Sequence, residues 1–209
     1  MTDPLAALRR AARARPAEAE AAPRCDMCAA PITPEHRHVV DLHRRSLMCT
    51  CTACHLLFTD EHAQLRYRAV PDRHLALTGA ALDDRAWDEL QIPVGLAFLF
   101  RNSSQDRMVA CYPGPAGATE SELPLAAWDR IVEGHPVLRG MLPDVEALLV
   151  GRDAGSYLVP IDVCYELTGA LRTRWRGFDG GREAHEAMDA FFTRLRARSR
   201  VAPDEGGDS

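Results

Sequence analysis

The stretch that decides the interpretation of this sequence is residues 25–54, CDMCAAPITPEHRHVVDLHRRSLMCTCTAC. A C-x2-C pair at Cys25 and Cys28 is followed, after 22 residues, by a second pair at Cys51 and Cys54. Each pair places two thiolates on one turn of chain, and two such turns supply the four sulfurs of a tetrahedral structural zinc site. The spacing therefore predicts a metal-binding module built on four cysteines.

The fourth ligand of this site has two candidates, because Cys49 precedes the second pair in the run CTCTAC. Cys51 has the standard spacing to Cys54, and Cys49 is the alternative to Cys51. The cysteine that is left over would lie beside the ion, either supporting the ligands or as a reactive thiol. Four sulfurs suit iron as well as zinc. We predict Zn²⁺, with Fe as the alternative.

Two small folds fit the module. The residues between the pairs predict a β-hairpin, with strands at 38–42 and 46–49. If the second pair also lies on a hairpin, the module is a zinc ribbon; if it opens a helix over residues 51–58, the module is a treble clef. Some treble clefs are nucleases with a hairpin histidine, here His38, but the helix offers only His55 as a further ligand. Nuclease chemistry is therefore not favoured.

The rest of the chain predicts an α+β body. Two strands and a helix occur twice, and a last helix closes the chain. The strands are expected at 94–101, 108–112, 145–150 and 157–161, and the helices at 83–90, 124–133, 162–174, with Asp162 as the cap, and 182–198. This ββαββα pattern favours an antiparallel sheet of about four strands with helices over one face and a C-terminal helix.

These patterns divide the chain into five segments. The first residues are rich in Ala, Arg and Glu, with little apolar surface to support a packed structure. The expected segments are a mobile N-terminal arm (1–24), the four-cysteine module (25–58), a connector (59–82), the α+β domain (83–200) and a disordered tail (201–209).

Charge argues against nucleic acid as a partner. The net charge is −5, and residues 59–209 carry 17 arginines against 24 acidic residues. Binding to a phosphate backbone needs a concentrated basic surface. The arginines near the module have a simpler role, because four thiolates on one Zn²⁺ leave a negative charge to balance. Nucleic-acid binding is therefore not expected.

Nothing in the sequence indicates an enzyme. All 25 basic residues are arginine, which excludes Schiff-base chemistry and a Walker A lysine. Cys111 and Cys164 lie in apolar patterns and are expected to be small core residues. Since no nucleophile and base stand at a suggestive spacing, we expect a non-enzymatic protein.

The expected location is the cytoplasm, without membrane insertion. The longest apolar run, residues 94–100, is far too short to cross a bilayer, and the N-terminus lacks the apolar core of a signal peptide. Clustered cysteines in a reducing compartment indicate metal binding rather than disulfides.

Several longer runs carry a resemblance to a known family. The run CDMCAAPITPEHRHVVDLHRRSLMCTCTACHLLF, with RYRAVPDR, LQIPVGLAFLFRNSSQDR, YPGPAGATESELPL, PDVEALLV, LVPIDVCYEL and WRGFDGG, resembles an uncharacterised actinobacterial family that contains a zinc ribbon. The resemblance covers about residues 25–198. Genes of that family often stand beside those of high-affinity nickel–iron hydrogenases. The resemblance implies a supporting role in hydrogenase assembly or maturation, with a hydrogenase subunit or maturation factor as partner, and it assigns no catalytic residues.

Three hypotheses follow from these observations. The leading one is a non-enzymatic, zinc-binding accessory protein that docks on a partner during assembly of a metalloenzyme such as a nickel–iron hydrogenase. The first alternative is a rubredoxin-like iron–thiolate electron carrier. The second alternative is a zinc-ribbon regulator that binds nucleic acid.

Overall fold

The computed structural model describes residues 22–60, 65–90, 92, 95–114, 117–122, 125–177 and 180–203. Most of the expected N-terminal arm and the last six residues of the expected tail lie outside these ranges. None of the helices within them combines the length and the apolar composition that spanning a bilayer requires.

The described chain forms two sheets and several helices. In chain order the elements are β1 (Arg37–Asp41), β2 (Ser46–Thr50), α1 (Thr52–Leu56), β3 (Tyr67–Ala69), β4 (Leu75–Ala76), α2 (Asp84–Leu90), β5 (Leu96–Asn102), β6 (Arg107–Gly114), β7 (Gly117–Glu122), α3 (Leu125–Gly134), a 3-10 helix (Pro136–Gly140), β8 (Glu146–Gly151), β9 (Gly155–Pro160), α4 (Ile161–Arg174), α5 (Gly181–Arg198) and β10 (Arg200–Val201). The small sheet has the order β2-β1-β3, and the large sheet has the order β10-β4-β9-β8-β5-β6-β7.

The α+β class, the antiparallel sheet and the C-terminal helix are confirmed. Hairpins β5–β6 and β8–β9 lie where the sequence predicts them, and β5 joins β8 to connect the two hairpins. The layout differs from ββαββα, because β7 follows β6 and pairs with it. The sequence of β7, GATESE, lacks the apolar alternation that indicates a half-buried strand.

Helices cover both faces of the large sheet, so the expectation of helices over one face is wrong. Phe98 and Leu149 pack in a core cluster with side chains of α4 and α5. Leu99 and Leu148, their neighbours in sequence, pack in a second cluster with side chains of α2 and α3. Strands as continuously apolar as LAFLF and ALLV bury both of their faces, which requires a layer of helices on each side.

The small sheet shares the core of the body. Val40 of β1 and Val70, just after β3, are buried in the same cluster as α4 and α5. The expected connector is also not irregular, since β3 pairs with β1 and β4 pairs with β9. At the other end of the chain β10 pairs with β4, and Ala202 is buried, so ordered structure continues past residue 200.

A buried carboxylate holds the β1–β2 hairpin to β3. Asp41 Oδ1 accepts hydrogen bonds from the backbone N–H groups of His43 and Arg44 at 3.1 and 3.2 Å. Arg66 donates to both oxygens of the same carboxylate. The hydrogen bonds from Arg66 lower the pKa of Asp41 to about 2. One side chain therefore fixes the turn of the hairpin and the start of β3 together.

Candidate metal centre

The first cysteine pair lies on a tight turn that is attached to β2. Ala29 N–H donates to Cys25 O at 2.8 Å, and Ala29 has a left-handed φ of 60°. Asp26 and Cys49 exchange two hydrogen bonds, from Asp26 N–H to Cys49 O at 2.8 Å and from Cys49 N–H to the Asp26 carboxylate at 2.6 Å. These bonds hold the first turn against the strand that leads to the second pair.

The second cysteine pair opens helix α1. Cys51 is the N-cap of α1, and its sulfur accepts the backbone N–H of Cys54 at 3.5 Å. Cys54 itself lies in the first turn of α1. A helix at the second pair is the feature expected of a treble clef, whereas a zinc ribbon would place a hairpin turn there.

The structure brings four cysteine sulfurs together, and we refer to Cys25, Cys28, Cys51 and Cys54 as the four-cysteine cluster. Their sulfur atoms all lie within 4.8 Å of one another. The sulfurs of Cys28 and Cys51 are 3.8 Å apart. Two ligands about 2.3 Å from a tetrahedral ion are separated by about 3.8 Å. The cluster therefore has the donor set and the approximate size of a tetrahedral site for one metal ion.

The electrostatics of the cluster also suit a cation. Burial raises the pKa of the Cys25 thiol, but hydrogen bonds from the backbone at Cys51, Cys28 and Met27 outweigh burial and lower it to about 6. At Cys54, burial and hydrogen bonds with the other three sulfurs raise the pKa to about 12. Four adjacent thiolates repel one another, so full ionisation of the cluster requires a positive ion among them.

The cluster could hold either zinc or iron, because both accept four thiolates in a tetrahedron. Cys25 is buried, Cys51 and Cys54 are half-buried, and Cys28 is exposed. The donor set thus permits metal binding and leaves the identity of the ion open between Zn²⁺ and Fe.

Cys49, the alternative fourth ligand, lies outside the four-cysteine cluster. It stands directly opposite His38 in the β1–β2 hairpin. Its sulfur lies within 4.8 Å of a ring nitrogen of both His36 and His38. Burial raises the pKa of Cys49, and the negative charge of Asp26 raises it further. The geometry thus groups Cys51, and not Cys49, with the other three sulfurs.

Other nearby histidines have separate roles. His55 is buried in α1, and its Nε2 lies 3.0 Å from Val70 O. It contacts the residue that follows β3, and among the described residues it belongs to neither group of candidate metal ligands. His43 is exposed in the hairpin turn. A pair of metal-binding histidines across hairpin and helix, which the nuclease interpretation needs, is therefore not formed by His38 and His55.

Asp162 has a different position from the one expected. Helix α4 begins at Ile161 with Pro160 as its N-cap, so the prediction that Asp162 caps the helix is wrong. Because Pro160 leaves the helical conformation through its ψ of 144°, the helix starts at Ile161 and Asp162 falls in its first turn. There its carboxylate lies 2.8 Å from Nδ1 of His38. This contact joins the hairpin of the module to the body.

The grouping of His36, His38 and Cys49 is absent from the expectations drawn from sequence. The signal that could have revealed it is the hairpin itself. Once the strands pair around the turn at residues 42–45, His38 must lie opposite Cys49, and opposite residues have neighbouring side chains. His36 comes just before β1, and its ring centroid lies 4.7 Å from that of His38.

The arginines near the module pair with carboxylates. Arg37 lies 3.3 Å from Asp72, and Arg45 lies 3.0 Å from Glu120. These carboxylates neutralise part of the positive charge of the arginines, so that part is not needed to balance the charge of the thiolates. The remaining cysteines, Cys111 and Cys164, are buried in the core as predicted.

Comparison with known proteins gives a single family. The profile described as "Family of unknown function (DUF5947)" matches residues 24–199, which include all the cysteines discussed above. No curated protein matches the sequence significantly, and no solved structure does. The match extends over the four-cysteine cluster and over both core clusters of the body except Ala202. The chain therefore belongs to the DUF5947 family of unknown function.

Proposed function

We propose that the chain is a non-enzymatic accessory protein that holds a structural Zn²⁺ in the four-cysteine cluster and docks on a partner protein. The observation that carries the proposal is the convergence of four sulfurs. In a four-thiolate site every tetrahedral position belongs to the protein, so no position remains for a substrate or a reactive water. Such an ion clamps two turns together and performs no chemistry.

The surface beside the cluster supports docking. Leu56 and Leu57, at the end of α1, are 62% and 68% exposed. They follow directly after Cys54 and His55, so an ion on the cluster would hold them in a fixed position. Adjacent exposed leucines on a rigid element are suited to a protein interface.

We propose a hydrogenase subunit or a hydrogenase maturation factor as the partner, in the cytoplasm. The support is the gene neighbourhood of the family that the sequence resembles. Five free cysteines within thirty residues also suit a reducing compartment, where thiols stay available for metal.

Affinity purification from native cells tests the partner. Tagged wild-type protein is expected to retain a hydrogenase subunit or maturation factor, and the double variant Leu56→Ser/Leu57→Ser is expected to lose it. Val201→Ser is the matched control, because Val201 is an exposed apolar residue on the edge strand β10. Recovery of neither class of protein by the wild type would contradict the proposal.

A rubredoxin-like electron carrier is the second candidate, favoured by the exposure of Cys28. A ligand at the surface brings an iron–thiolate centre within reach of a redox partner, and four sulfurs suit iron as well as zinc. Protein purified without added metal would then be red, with visible absorption and one iron per chain. A colourless protein that contains zinc excludes this candidate.

A further inference from the structure

We propose that His36, His38 and Cys49 form a second metal site, which binds an exchangeable transition-metal ion next to the four-cysteine cluster. We refer to these three residues as the His–Cys cluster. One nitrogen of each histidine and the sulfur of Cys49 lie within 4.8 Å of one another. This site has a different donor set from the four-cysteine cluster and is independent of the proposed docking function.

The hydrogen bonds of the two rings occupy Nδ1 of each ring and leave Nε2 for a metal ion. Nδ1 of His38 lies 2.8 Å from a carboxylate oxygen of Asp162, and Nδ1 of His36 lies 3.0 and 2.9 Å from the carbonyl oxygens of Thr33 and Pro34. Carboxylates and carbonyls only accept hydrogen bonds, so each Nδ1 carries the proton. In the neutral imidazole, Nε2 of each ring then carries the free lone pair, which is the form that binds a metal.

The lone pair on Nε2 of His36 accepts no hydrogen bond among the described residues, and this nitrogen is buried. A buried polar atom without a partner is unfavourable and calls for a specific explanation. A metal ion between His36, His38 and Cys49 satisfies it.

Asp162 acts as the positioning residue of the site. Histidine ligands of metals usually donate their second ring N–H to a carboxylate, which fixes the tautomer and the orientation of the ring. The contact between His38 and Asp162 has this form. It is also formed across 124 residues of sequence, from the hairpin to the first turn of α4.

The His–Cys cluster leaves one coordination position of a tetrahedral ion free, whereas the four-cysteine cluster occupies all four. Three protein ligands leave one tetrahedral position for water or another ligand, as in exchangeable and catalytic sites. His36 and His38 line a cleft of about 1180 Å³. His74 lines the same cleft, and its Nε2 is likewise buried without a hydrogen bond among the described residues. An ion can therefore enter and leave on the histidine side.

The donor set selects the class of ion. Two imidazoles and one thiolate suit Zn²⁺, Co²⁺, Ni²⁺ or copper, whereas Mg²⁺ and Ca²⁺ require oxygen ligands. We therefore expect binding of Zn²⁺ and of its spectroscopic substitute Co²⁺, and no binding of Mg²⁺.

Titration of the full-length, reduced protein with Zn²⁺ or Co²⁺ against a competing chelator tests the site. The wild type is expected to bind two ions per chain, one tightly and one exchangeably. Cys49→Ser and His36→Gln are expected to bind only the tight ion, as shown by metal content and by loss of the second phase. His43→Gln is the matched control, because this exposed histidine of the same hairpin belongs to neither cluster, and it should still bind two ions.

Asp162→Asn provides a test that does not remove a ligand. It is expected to weaken the exchangeable ion by about 10- to 100-fold and to leave the tight ion unchanged. A merely structural role for Asp162 would not separate the two ions in this way. The proposal is overturned if the wild type binds one ion, if Cys49→Ser binds two, if Cys49→Ser loses the tight ion instead, or if Asp162→Asn leaves the exchangeable ion unaffected.

Discussion

Single side chains in this protein differ in how far the sequence reveals their roles. Cys25, Cys28 and Cys54 follow from spacing alone, because a C-x2-C turn imposes the separation of its sulfurs. Spacing could not decide between Cys51 and Cys49. That choice depends on Cys51 being the N-cap of α1, which turns its sulfur inward, and on Cys49 lying in β2 with its side chain towards His38.

Cys51→Ser tests this assignment. Loss of one sulfur from the four-cysteine cluster is expected to abolish tight metal binding and to remove the stabilisation that a bound ion confers on the folded state. Metal content per chain and Tm in the presence of Zn²⁺ measure the effect. Cys49→Ser is the control and should keep its tight ion. Retention of that ion by Cys51→Ser would show that the cluster has been assigned wrongly.

The lowered pKa of Asp41 predicts that the free energy of unfolding depends on pH in the acid range. Arg66 lowers the pKa of Asp41 from its ordinary value of 3.8 to about 2 in the folded protein. A carboxyl with a lowered folded pKa stabilises the fold above its unfolded pKa, and this contribution disappears as the pH falls through the folded value. The difference in unfolding free energy between wild type and Asp41→Asn should therefore be full above about pH 4 and shrink towards pH 2.

The free energies of unfolding are measured with denaturant at several pH values. Metal-free protein is used, because acid would otherwise release a bound ion and change the stability as well. Asp106→Asn is the control, because Asp106 also pairs with an arginine but is 81% exposed. Its effect should be small at every pH. An Asp41→Asn effect that is constant from pH 7 to pH 2 would contradict the assigned role of Asp41.

At the scale of elements, the sequence predicts best where apolar residues repeat. Strands β5, β6, β8 and β9 and the long helices α4 and α5 carry clear patterns, and they are found close to the expected positions. Strand β7 is polar, so its backbone pairing with β6 is invisible to a hydrophobic pattern. The two-residue strands β4 and β10 are too short to produce any pattern.

The surroundings of two glycines, Gly151 at the end of β8 and Gly169 within α4, predict opposite effects of substitution by alanine. A Cβ added at Gly151 would lie 2.7 Å from the Ala154 Cβ and 3.1 Å from the Phe192 ring, so Gly151→Ala should destabilise the fold by about 1–3 kcal/mol through overpacking. Gly169 is exposed within α4 with open space around it, so Gly169→Ala should stabilise the fold by about 0.5–1 kcal/mol. Denaturant unfolding measures both. Equal effects of the two substitutions would contradict the close contact at Gly151.

On the scale of the whole molecule, the four-cysteine segment and the body share one hydrophobic core. Sequence patterns are local, so they separate a cysteine-rich segment from an α+β segment and carry no sign that Val40 packs with the helices of the body. The structure places Val40 and Val70 in the main core cluster. The ion pair between Arg45 and Glu120 adds a further link between module and body, beside the contact of His38 with Asp162.

This shared core predicts cooperative unfolding. Removal of metal with a chelator is expected to lower Tm while leaving one transition, because loss of the module exposes the core of the body. The fluorescence of Trp87, Trp128 and Trp175 reports the body, and the accessibility of the buried Cys25 thiol to a thiol reagent reports the module. The two probes should follow the same curve. Separate transitions would show that the module unfolds independently.

The contact between His38 and Asp162 can form only late in the synthesis of the chain. The two residues are 124 positions apart, and a ribosome adds about 5–20 residues per second, so His38 is made roughly 6–25 s before its carboxylate. All four sulfurs of the four-cysteine cluster emerge together near the start of that interval. The four cysteines of the nascent chain can therefore bind an ion while the body is still being translated. Asp162 can fix the orientation of the His38 ring only after the start of α4 has been made.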